Sequence, residues 1–291
     1  MVRRTASQKI SRRSIRCGDT PFEGFLSTLI SKNQLKHICF LKQKKYRARE
    51  GKFIVEGLRS CEELLASDFD VDQVFYCSSA LATSRSKQFL KKCRAQGVAT
   101  AEIDSLSFKK ISSTVSAQGI AAVARRRDTK LAQFIRPHGC QAVTALWQVS
   151  DPGNLGTIIR SAAWFGIDAV LTSTDCAEAT NPKAARATMG ALFYIPVFQG
   201  LNFSHVLPTL ANMGYKIFYA DADGAVSISA ASFSERNVIL LGGETNPLPH
   251  HLSESVTATV RIPRYGYGDS LNVAAAAAIV MSEFKTRTSS H

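Results

Sequence analysis

The sequence predicts an α/β protein in two parts: a small α/β domain, then a larger domain built on a mostly parallel sheet. Short apolar runs alternate with stretches of helical periodicity, and a polar connector at 127–140 interrupts this alternation. Strands separated by crossover helices favour a parallel sheet covered by helices on both faces. The predicted division is a basic arm over 1–31, a small domain over 32–126, a linker over 127–140, a larger domain over 141–286 and a tail over 287–291.

The small domain is predicted to hold two helices and four strands. Apolar residues at Leu58, Cys61, Leu64 and Leu65 have helical spacing and predict a helix over 58–67. A second amphipathic helix is predicted around 83–97. Strands are predicted over 51–57, over 72–78, near Thr100 and over 119–127.

The larger domain repeats the alternation after the connector. Strands are predicted over 142–150, 167–173, 216–221, 237–243 and 257–263. Helices are predicted over 155–165, 181–190, 202–214 and 270–285. Ser270 is the predicted N-cap of the last helix, because a serine hydroxyl accepts hydrogen bonds from the first free backbone N–H groups.

Composition argues against several classes of protein. No apolar run approaches the roughly 20 residues that a membrane helix requires, so no membrane contact is expected. The seven cysteines form no C-x-x-C pair and the histidines show no ligand spacing, so neither a metal site nor a disulfide framework is expected. Scattered cysteines without a secretory signal predict a cytoplasmic protein.

The positive charge is concentrated at the amino-terminal end. The net charge is +13, and residues 1–50 hold 13 Lys and Arg against 3 Asp and Glu. Such a segment predicts a polyanionic partner. Two alternatives stay open: a solvated tail without a partner, and an organelle transit peptide. The second arises because 1-MVRRTASQKISRRSIRC-17 is rich in Arg and Ser and has no acidic residue.

The stretch 151-DPGNLGTIIRSAAWFG-166 places a glycine-bearing loop before an apolar helix that contains Arg160. Its glycine spacing differs from the G-x-G-x-x-G of a dinucleotide loop, and it lacks the G-K-[ST] of a Walker A loop. Taken alone, the stretch is also compatible with a tight turn that starts a helix, with Arg160 extended into solvent.

Two later stretches place glycines at the ends of predicted strands. In 240-LLGGETNPL-248 an apolar strand runs into two glycines and Glu244. In 261-RIPRYGYGDSLNVAAAAAIV-280 a strand ends at an Ile-Pro step, and a loop leads into a helix of alanines. The alanines favour close approach of a neighbouring segment, although high helix propensity alone would also explain them.

In order, the first stretch, 182-PKAARATMGALFYIPV-197 and the two later stretches resemble the three motifs of the SpoU-type RNA ribose 2′-O-methyltransferases. The resemblance covers about residues 142–285, and the Ser-Leu-Asn-Val step of the third motif is highly specific. Residues 33–126 are similar to the small α/β sandwich domain that often precedes it and binds the RNA substrate. The resemblance implies a trefoil-knotted α/β domain, a homodimer and S-adenosylmethionine bound in the knot.

The resemblance also implies the site residues. Arg160 would hold the phosphate beside the target nucleotide and polarise the hydroxyl. Glu244 would orient Arg160 or an asparagine, or serve as a structural ion-pair partner. A guanidinium rarely gives up its proton, so a phosphate-assisted or water-assisted route is expected for the departing proton. The implied catalytic residues are Arg160, Asn154, Glu244, Ser270 and Asn272. The implied donor-binding residues are Leu241, Gly242, Gly243, Ile262, Pro263 and Leu271.

RNA contacts are expected from basic residues outside the donor site. Arg186 is a candidate phosphate contact, with a plain helix-surface charge as the alternative, and Tyr46 is a candidate for stacking on a base. The expected contacts are Arg186, Thr188, Lys42, Lys44, Lys45 and Arg47.

The chain departs from the family pattern at a few positions. Gly243, Thr245 and Pro247 stand where relatives have Asn or Ser and further glycines, and Arg264 replaces a methionine. The predicted function is S-adenosylmethionine-dependent methylation of a ribose 2′-hydroxyl in structured RNA, with ribosomal RNA favoured. The alternatives are a tRNA methyltransferase and a non-catalytic RNA-binding scaffold of the same fold.

Overall fold

The computed structural model describes residues 30–114, 117–127, 129–136, 138–243 and 247–288. Glu244 and nearly all of the basic arm predicted over 1–31 lie outside the described residues. The helices are α1 Lys32–Phe40, α2 Lys44–Glu50, α3 Leu58–Ala66, α4 Ser84–Ala95, α5 Ser105–Ile111, α6 Leu131–Phe134, α7 Pro152–Trp164, α8 Pro182–Ala187, α9 Phe203–Asn212, α10 His250–Ser253 and α11 Val273–Thr288. The strands are β1 Lys52–Glu56, β2 Val71–Tyr76, β3 Ala99–Glu102, β4 Ile120–Arg125, β5 Gln141–Trp147, β6 Ala169–Ser173, β7 Val197–Leu201, β8 Lys216–Ala220, β9 Val226–Ser227, β10 Arg236–Gly242 and β11 Ala258–Arg261.

The larger sheet has the strand order β7-β6-β5-β10-β8-β11-β9, and neighbouring strands run parallel. Side chains alternate between its faces, as the pleat requires. On β10, Ile239 and Leu241 pack with α7 and α11, whereas Val238 and Leu240 pack with α9 and α10. The prediction of a mostly parallel sheet with helices on both faces is confirmed.

The smaller sheet has the order β1-β4-β2-β3, with β4 antiparallel to β1 and β2, and β3 parallel to β2. Its two faces carry different helices. Phe53 on β1 packs on the side of α3 and α4, while the adjacent Ile54 packs on the side of α1 and α5. The core on the α3 side is continuous with the core of the larger domain, so this face joins the two domains.

The two domains meet at a junction that combines an ion pair with aromatic packing. Arg47 on α2 is buried and pairs with Glu178 of the larger domain at 2.6 Å. The Phe69 and Phe193 ring centroids lie 5.3 Å apart, nearly perpendicular. We call this contact the domain junction, formed by Arg47, Glu63, Phe69, Arg126, Glu178, Phe193 and Tyr194. A cleft of about 370 Å³ beside it is lined by none of the described residues predicted to bind the donor or to act in catalysis.

Several elements differ from the predictions. Helices α1, α2, α5, α6 and α10 and strands β7 and β9 were not predicted, and α11 continues to Thr288, into the predicted tail. The start of α1 had a usable signal, because Ser31 and Gln34 form a capping box. α11 begins at Val273 rather than at 270, and its start concerns the candidate site.

Candidate active site

The three predicted motifs meet at one edge of the larger sheet. Because the strands are parallel, the carboxyl ends of β5, β10 and β11 lie at the same edge, where ligands of open α/β sheets bind. α7 follows β5, Gly243 follows β10, and the loop over 262–272 follows β11. We call this region the carboxyl edge.

The turn after β10 is fitted closely against the end of β5. The Gly243 N–H donates to the carbonyl of Trp147 at 2.7 Å. A Cβ on residue 243 would lie 2.3 Å from the carbonyl oxygen of Gln148, so only glycine fits this position. Gln148 itself has a left-handed backbone, with φ of 54°, and its N–H donates to the Ser173 hydroxyl at 3.0 Å. Glycine at 243 is therefore matched to the Gln148 turn.

α7 begins three residues earlier than predicted, because Asp151 caps it. The Asp151 carboxylate accepts the Asn154 N–H at 2.8 Å, and Pro152 occupies the first helical position. Asp151 also pairs with Lys183 on α8 at 2.8 Å, which joins the first and second motifs. The hydrogen bond from Lys183, followed by that from Asn154, lowers the pKa of the Asp151 carboxyl. This carboxylate is held as an anion, so it acts as a cap and a helix connector.

Asn154 and Asn272 bring the first and third motifs into direct contact. The Asn272 side-chain amide donates to the Asn154 side-chain oxygen at 3.1 Å, although 118 residues separate them. Asn272 also starts α11, because its side-chain oxygen accepts the Ala274 N–H at 2.9 Å. The prediction that Ser270 caps this helix is wrong, since Asn272 lies directly before the first helical residue and Ser270 is exposed in the preceding loop.

The predicted donor-binding residues combine backbone groups with apolar side chains. Leu241 is buried, Ile262 and Pro263 are half-buried, and Leu271 is 52% exposed although it is apolar. Backbone groups at glycine turns can form hydrogen bonds with the adenine and ribose of S-adenosylmethionine. Partly exposed apolar side chains can pack against the face of the adenine. The residue chemistry at this edge therefore fits the implied cofactor.

Arg160 lies on the exposed face of α7. Among the described residues, no hydrogen-bond or ion-pair partner is found for its guanidinium. Its predicted partner Glu244 is outside the described residues, so that role stays a prediction. Arg186 on α8 is also exposed.

Two predicted RNA contacts are wrong because the side chains are inside the protein. Thr188 is 1% exposed, and its hydroxyl donates to the Ala185 carbonyl at 2.7 Å. Arg47 is 2% exposed; besides Glu178, it donates to the carbonyls of Leu41 and Lys42 at 3.0 and 2.7 Å. Neither side chain is available to RNA. Lys44 and Lys45 are exposed and Lys42 is half-buried.

Tyr46 is also unsuited to its predicted role of stacking on a base. Phe40 is stacked on one face of its ring, at a centroid distance of 4.5 Å. The Arg49 guanidinium lies 4.7 Å from the ring centroid. An incoming base would have to displace one of these neighbours.

Sequence reasoning missed three residues that shape the carboxyl edge. Asp151 had a recognisable signal, since Asp-Pro is typical of a helix N-cap and first position. Gln148 had none, because a left-handed glutamine is rare. Tyr219 on β8 also had none; its hydroxyl borders Gly242, and burial raises its pKa, so it stays a neutral hydroxyl.

Neither a metal cluster nor a membrane span is found within the part of the chain that the structure describes. No group of three or more His, Cys, Asp or Glu side chains could hold a metal ion there. None of the helices in that part is long and apolar enough to cross a membrane.

Comparison with known proteins identifies both domains. A profile of the SpoU rRNA Methylase family matches residues 141–282, and a profile of the MRM3-like substrate binding domain matches residues 32–122. The 23S rRNA (guanosine(2553)-2′-O)-methyltransferase RlmP of Bacillus subtilis is 30% identical over 252 residues, covering 86% of this chain and 96% of the relative.

Solved structures agree with the sequence relatives. A TrmH-family RNA methyltransferase from Porphyromonas gingivalis has a TM-score of 0.74 at 30% identity, covering 89% of this chain and 100% of that one. An AdoMet-bound rRNA methyltransferase from Sinorhizobium meliloti has a TM-score of 0.75 at 27% identity, covering 88% and 95% of the two chains. With its motifs joined at one sheet edge and an MRM3-like domain ahead of them, this chain belongs to the SpoU rRNA methylase family.

Proposed function

We propose that the protein transfers the methyl group of S-adenosylmethionine to a ribose 2′-hydroxyl of structured RNA, with ribosomal RNA as the favoured substrate. The observation that carries this proposal is the contact between Asn154 and Asn272, which joins the first and third motifs. Relatives that methylate ribosomal RNA at a 2′-hydroxyl support the choice of substrate.

The bound cofactor would supply the electrophilic methyl group. The residues at the carboxyl edge hold and orient it: Gly242 and Gly243 offer backbone groups, and Ile262 and Leu271 offer an apolar slot. Closing this open edge around donor and acceptor would align the reacting atoms, and alignment of this kind is worth effective molarities of about 10⁵ M or more.

Arg160 is suited to hold the substrate because its guanidinium is exposed and uses no described protein group as a partner. A guanidinium binds a phosphate with two parallel hydrogen bonds, which fixes the adjacent ribose and polarises its hydroxyl. A guanidinium rarely gives up its proton and is therefore a poor base, so the departing proton passes to phosphate or water. Asn154, Asn272 and Ser270 offer neutral groups to position that hydroxyl.

RNA affinity would come from exposed cations around this edge and on the small domain. The candidate phosphate contacts are the exposed Arg186 on α8, the exposed Lys44 and Lys45 on α2, and the half-buried Lys42 just before α2. Glu244 and the basic arm complete this proposal as predictions, since both lie outside the described residues. The cytoplasmic location also stays a prediction.

We include the trefoil knot and the homodimer in the proposal. The segment after β8 packs closely against β11, since a Cβ on Gly224 would lie 2.5 Å from the backbone of Val260. α11 then returns to pack on α7, as a threaded carboxyl-terminal segment would. Trp164 on α7 is 85% exposed and Ile279 on α11 is 41% exposed, so both apolar side chains are available to a second copy of the chain.

The homodimer is tested by Trp164→Asp. A buried charge without a partner is strongly unfavourable, so the variant is expected to be monomeric by light scattering at concentrations where the unchanged protein is dimeric. Leu106→Asp, at an exposed apolar residue on α5, is the matched control and should remain a dimer by light scattering. A monomeric unchanged protein would contradict this part of the proposal.

The methyl transfer is tested with the full chain, radiolabelled S-adenosylmethionine, and total RNA from cells that lack the protein. We expect label in one 2′-O-methyl nucleotide of ribosomal RNA, identified by mass spectrometry after nuclease digestion. Label in transfer RNA alone would favour the tRNA alternative. The scaffold alternative would be supported if calorimetry detected no binding of S-adenosylmethionine.

A further inference from the structure

The loop between β11 and α11 presents two tyrosines to solvent. Tyr265 is 96% exposed and Tyr267 is 108% exposed. Each ring could bury a large apolar area, and neither buries it in its own chain. Paired exposure of aromatic rings in one loop is typical of a binding surface rather than of a folding core.

The loop is shaped to hold the two rings outward. The Arg264 guanidinium donates to the Gly268 carbonyl at 2.8 Å and thereby closes the segment that carries both tyrosines. At Gly266 and Gly268 no atom of the described residues lies within 4 Å of the position that a Cβ would take, so these residues leave the space around this backbone open. A planar group can therefore approach the rings without displacing protein.

The tyrosines lie close to the proposed catalytic residues along the chain. Tyr267 precedes Asn272 by five residues, so their Cα atoms are at most about 18 Å apart. Asn272 contacts Asn154 at the head of α7. One or two nucleotides beside a target ribose at the carboxyl edge would be within reach of this loop.

We propose that Tyr265 and Tyr267 form a platform on which unpaired RNA bases next to the target nucleotide stack. The inference rests on the proposed function and specifies its substrate: the methylated ribose lies in a single-stranded loop, bulge or junction. Every base presents a π face, whereas paired bases are already stacked within a helix. The adjacent Arg264 and the net charge of +13 favour RNA over a neutral apolar partner.

The experiment compares Tyr265→Ala/Tyr267→Ala with Tyr265→Phe/Tyr267→Phe, which keeps both rings. Binding of a single-stranded oligoadenylate and of an RNA duplex of equal length is measured by fluorescence anisotropy. The alanine pair is expected to bind the single strand roughly 5- to 100-fold more weakly, with duplex binding little changed. The phenylalanine pair is expected to bind like the unchanged protein. Because stacking releases few counterions, the loss should persist at higher salt.

Two further measurements separate this inference from its alternatives. If the alanine pair binds the single strand normally, or loses single-strand and duplex binding equally, the platform is overturned. If light scattering shows that the alanine pair disrupts a dimer, the rings contact a second chain instead. Methyl transfer by the unchanged protein is scored independently, so failure of the proposed function is distinguishable from failure of the platform.

Discussion

The domain junction and the helix α7, which begins at the carboxyl edge, each contain an arginine that the sequence predicts as a phosphate contact, and the two arginines have different surroundings. Arg47 at the junction is 2% exposed and directs its guanidinium at Glu178 and two backbone carbonyls. Arg160, on the helix α7 that begins at the edge, is exposed and has no partner among the described residues. An arginine satisfied by its own chain stabilises the fold, whereas one left in solvent is available to a ligand.

The carboxylates of the two regions show the same difference. Burial alone would raise the pKa of Glu178, but hydrogen bonds from Arg47 and Thr180 and the nearby charges of Arg47 and Arg126 outweigh it and lower the pKa. Asp151 at the edge is more exposed, and the hydrogen bond from Lys183 lowers its pKa. The junction thus depends on a closed network, while the edge uses solvent-screened pairs that a substrate can rearrange.

The largest expected effect is on stability, from breaking the junction. Arg47→Ala leaves Glu178 as a buried carboxylate without its main partner, which costs about 3–5 kcal/mol of the free energy of unfolding. Chemical denaturation measures it. Arg85→Ala, which breaks the exposed pair with Glu62, is the matched control and should have a much smaller effect. An Arg47→Ala variant as stable as the control would show that the junction does not depend on this pair.

The next effect is on catalysis, from Arg160. Arg160→Ala is expected to lower kcat roughly 10²- to 10³-fold, as loss of a charge-stabilising donor does in other enzymes. Arg160→Lys keeps the charge but not the paired hydrogen bonds, so its kcat should lie between those of Arg160→Ala and the unchanged protein. Calorimetry should find unchanged S-adenosylmethionine affinity in both variants. Near-normal turnover of Arg160→Ala would remove this residue from the mechanism.

These two arginines also show what the sequence could predict. Short apolar runs that alternate with helical segments predicted the parallel sheet, whose inner strands β5, β6 and β10 are buried on both faces. The glycine and Ile-Pro steps located the turns that the sheet brings to one edge. Arg47 could not be assigned correctly, since it lies within the basic segment 42–49 and its partner Glu178 is 131 residues away. Burial of a charge depends on tertiary packing that local sequence does not record.

At the carboxyl edge, the start of α11 and the left-handed turn at Gln148 also could not be predicted from local sequence. Ser270 and Asn272 are both good caps, and only the structure shows that α11 begins after Asn272. The family departure at Gly243 became interpretable once Gln148 was placed, since its carbonyl fills the space of a side chain at 243.

A third, smaller effect is expected from replacing a glycine by alanine, and it should differ between the carboxyl edge and the domain junction. Gly243→Ala forces its methyl group against the Gln148 carbonyl and is expected to weaken S-adenosylmethionine binding roughly 5- to 100-fold, if the cost of overpacking falls on the donor turn. Gln148→Gly in the same chain lets the turn shift and should restore part of the affinity. Isothermal titration measures both.

Gly190→Ala at the junction is the matched control for that experiment. Its methyl group would meet the Glu63 side chain at 2.5 Å, and its φ of 96° disfavours alanine. It should lower stability without changing donor affinity. Equal donor affinity in Gly243→Ala and the unchanged protein would mean that the turn after β10 does not shape the donor site.

The smallest effect is the dependence of stability on pH. A carboxyl whose pKa is lowered on folding stabilises the protein above its unfolded pKa, about 4.5 for Glu, and this contribution is lost as the pH falls through the folded value. Glu178→Gln removes the titrating group, so its stability deficit should be constant near neutral pH and shrink below about pH 4.5. Asp151→Asn at the exposed edge keeps a capping side chain. It should change the free energy of unfolding at acid pH less than Glu178→Gln does, because solvent screens the pair of Asp151 with Lys183. Urea titrations from pH 7 to pH 3 measure both differences. If the deficit of Glu178→Gln is the same at every pH, the carboxylate charge is not what holds the junction.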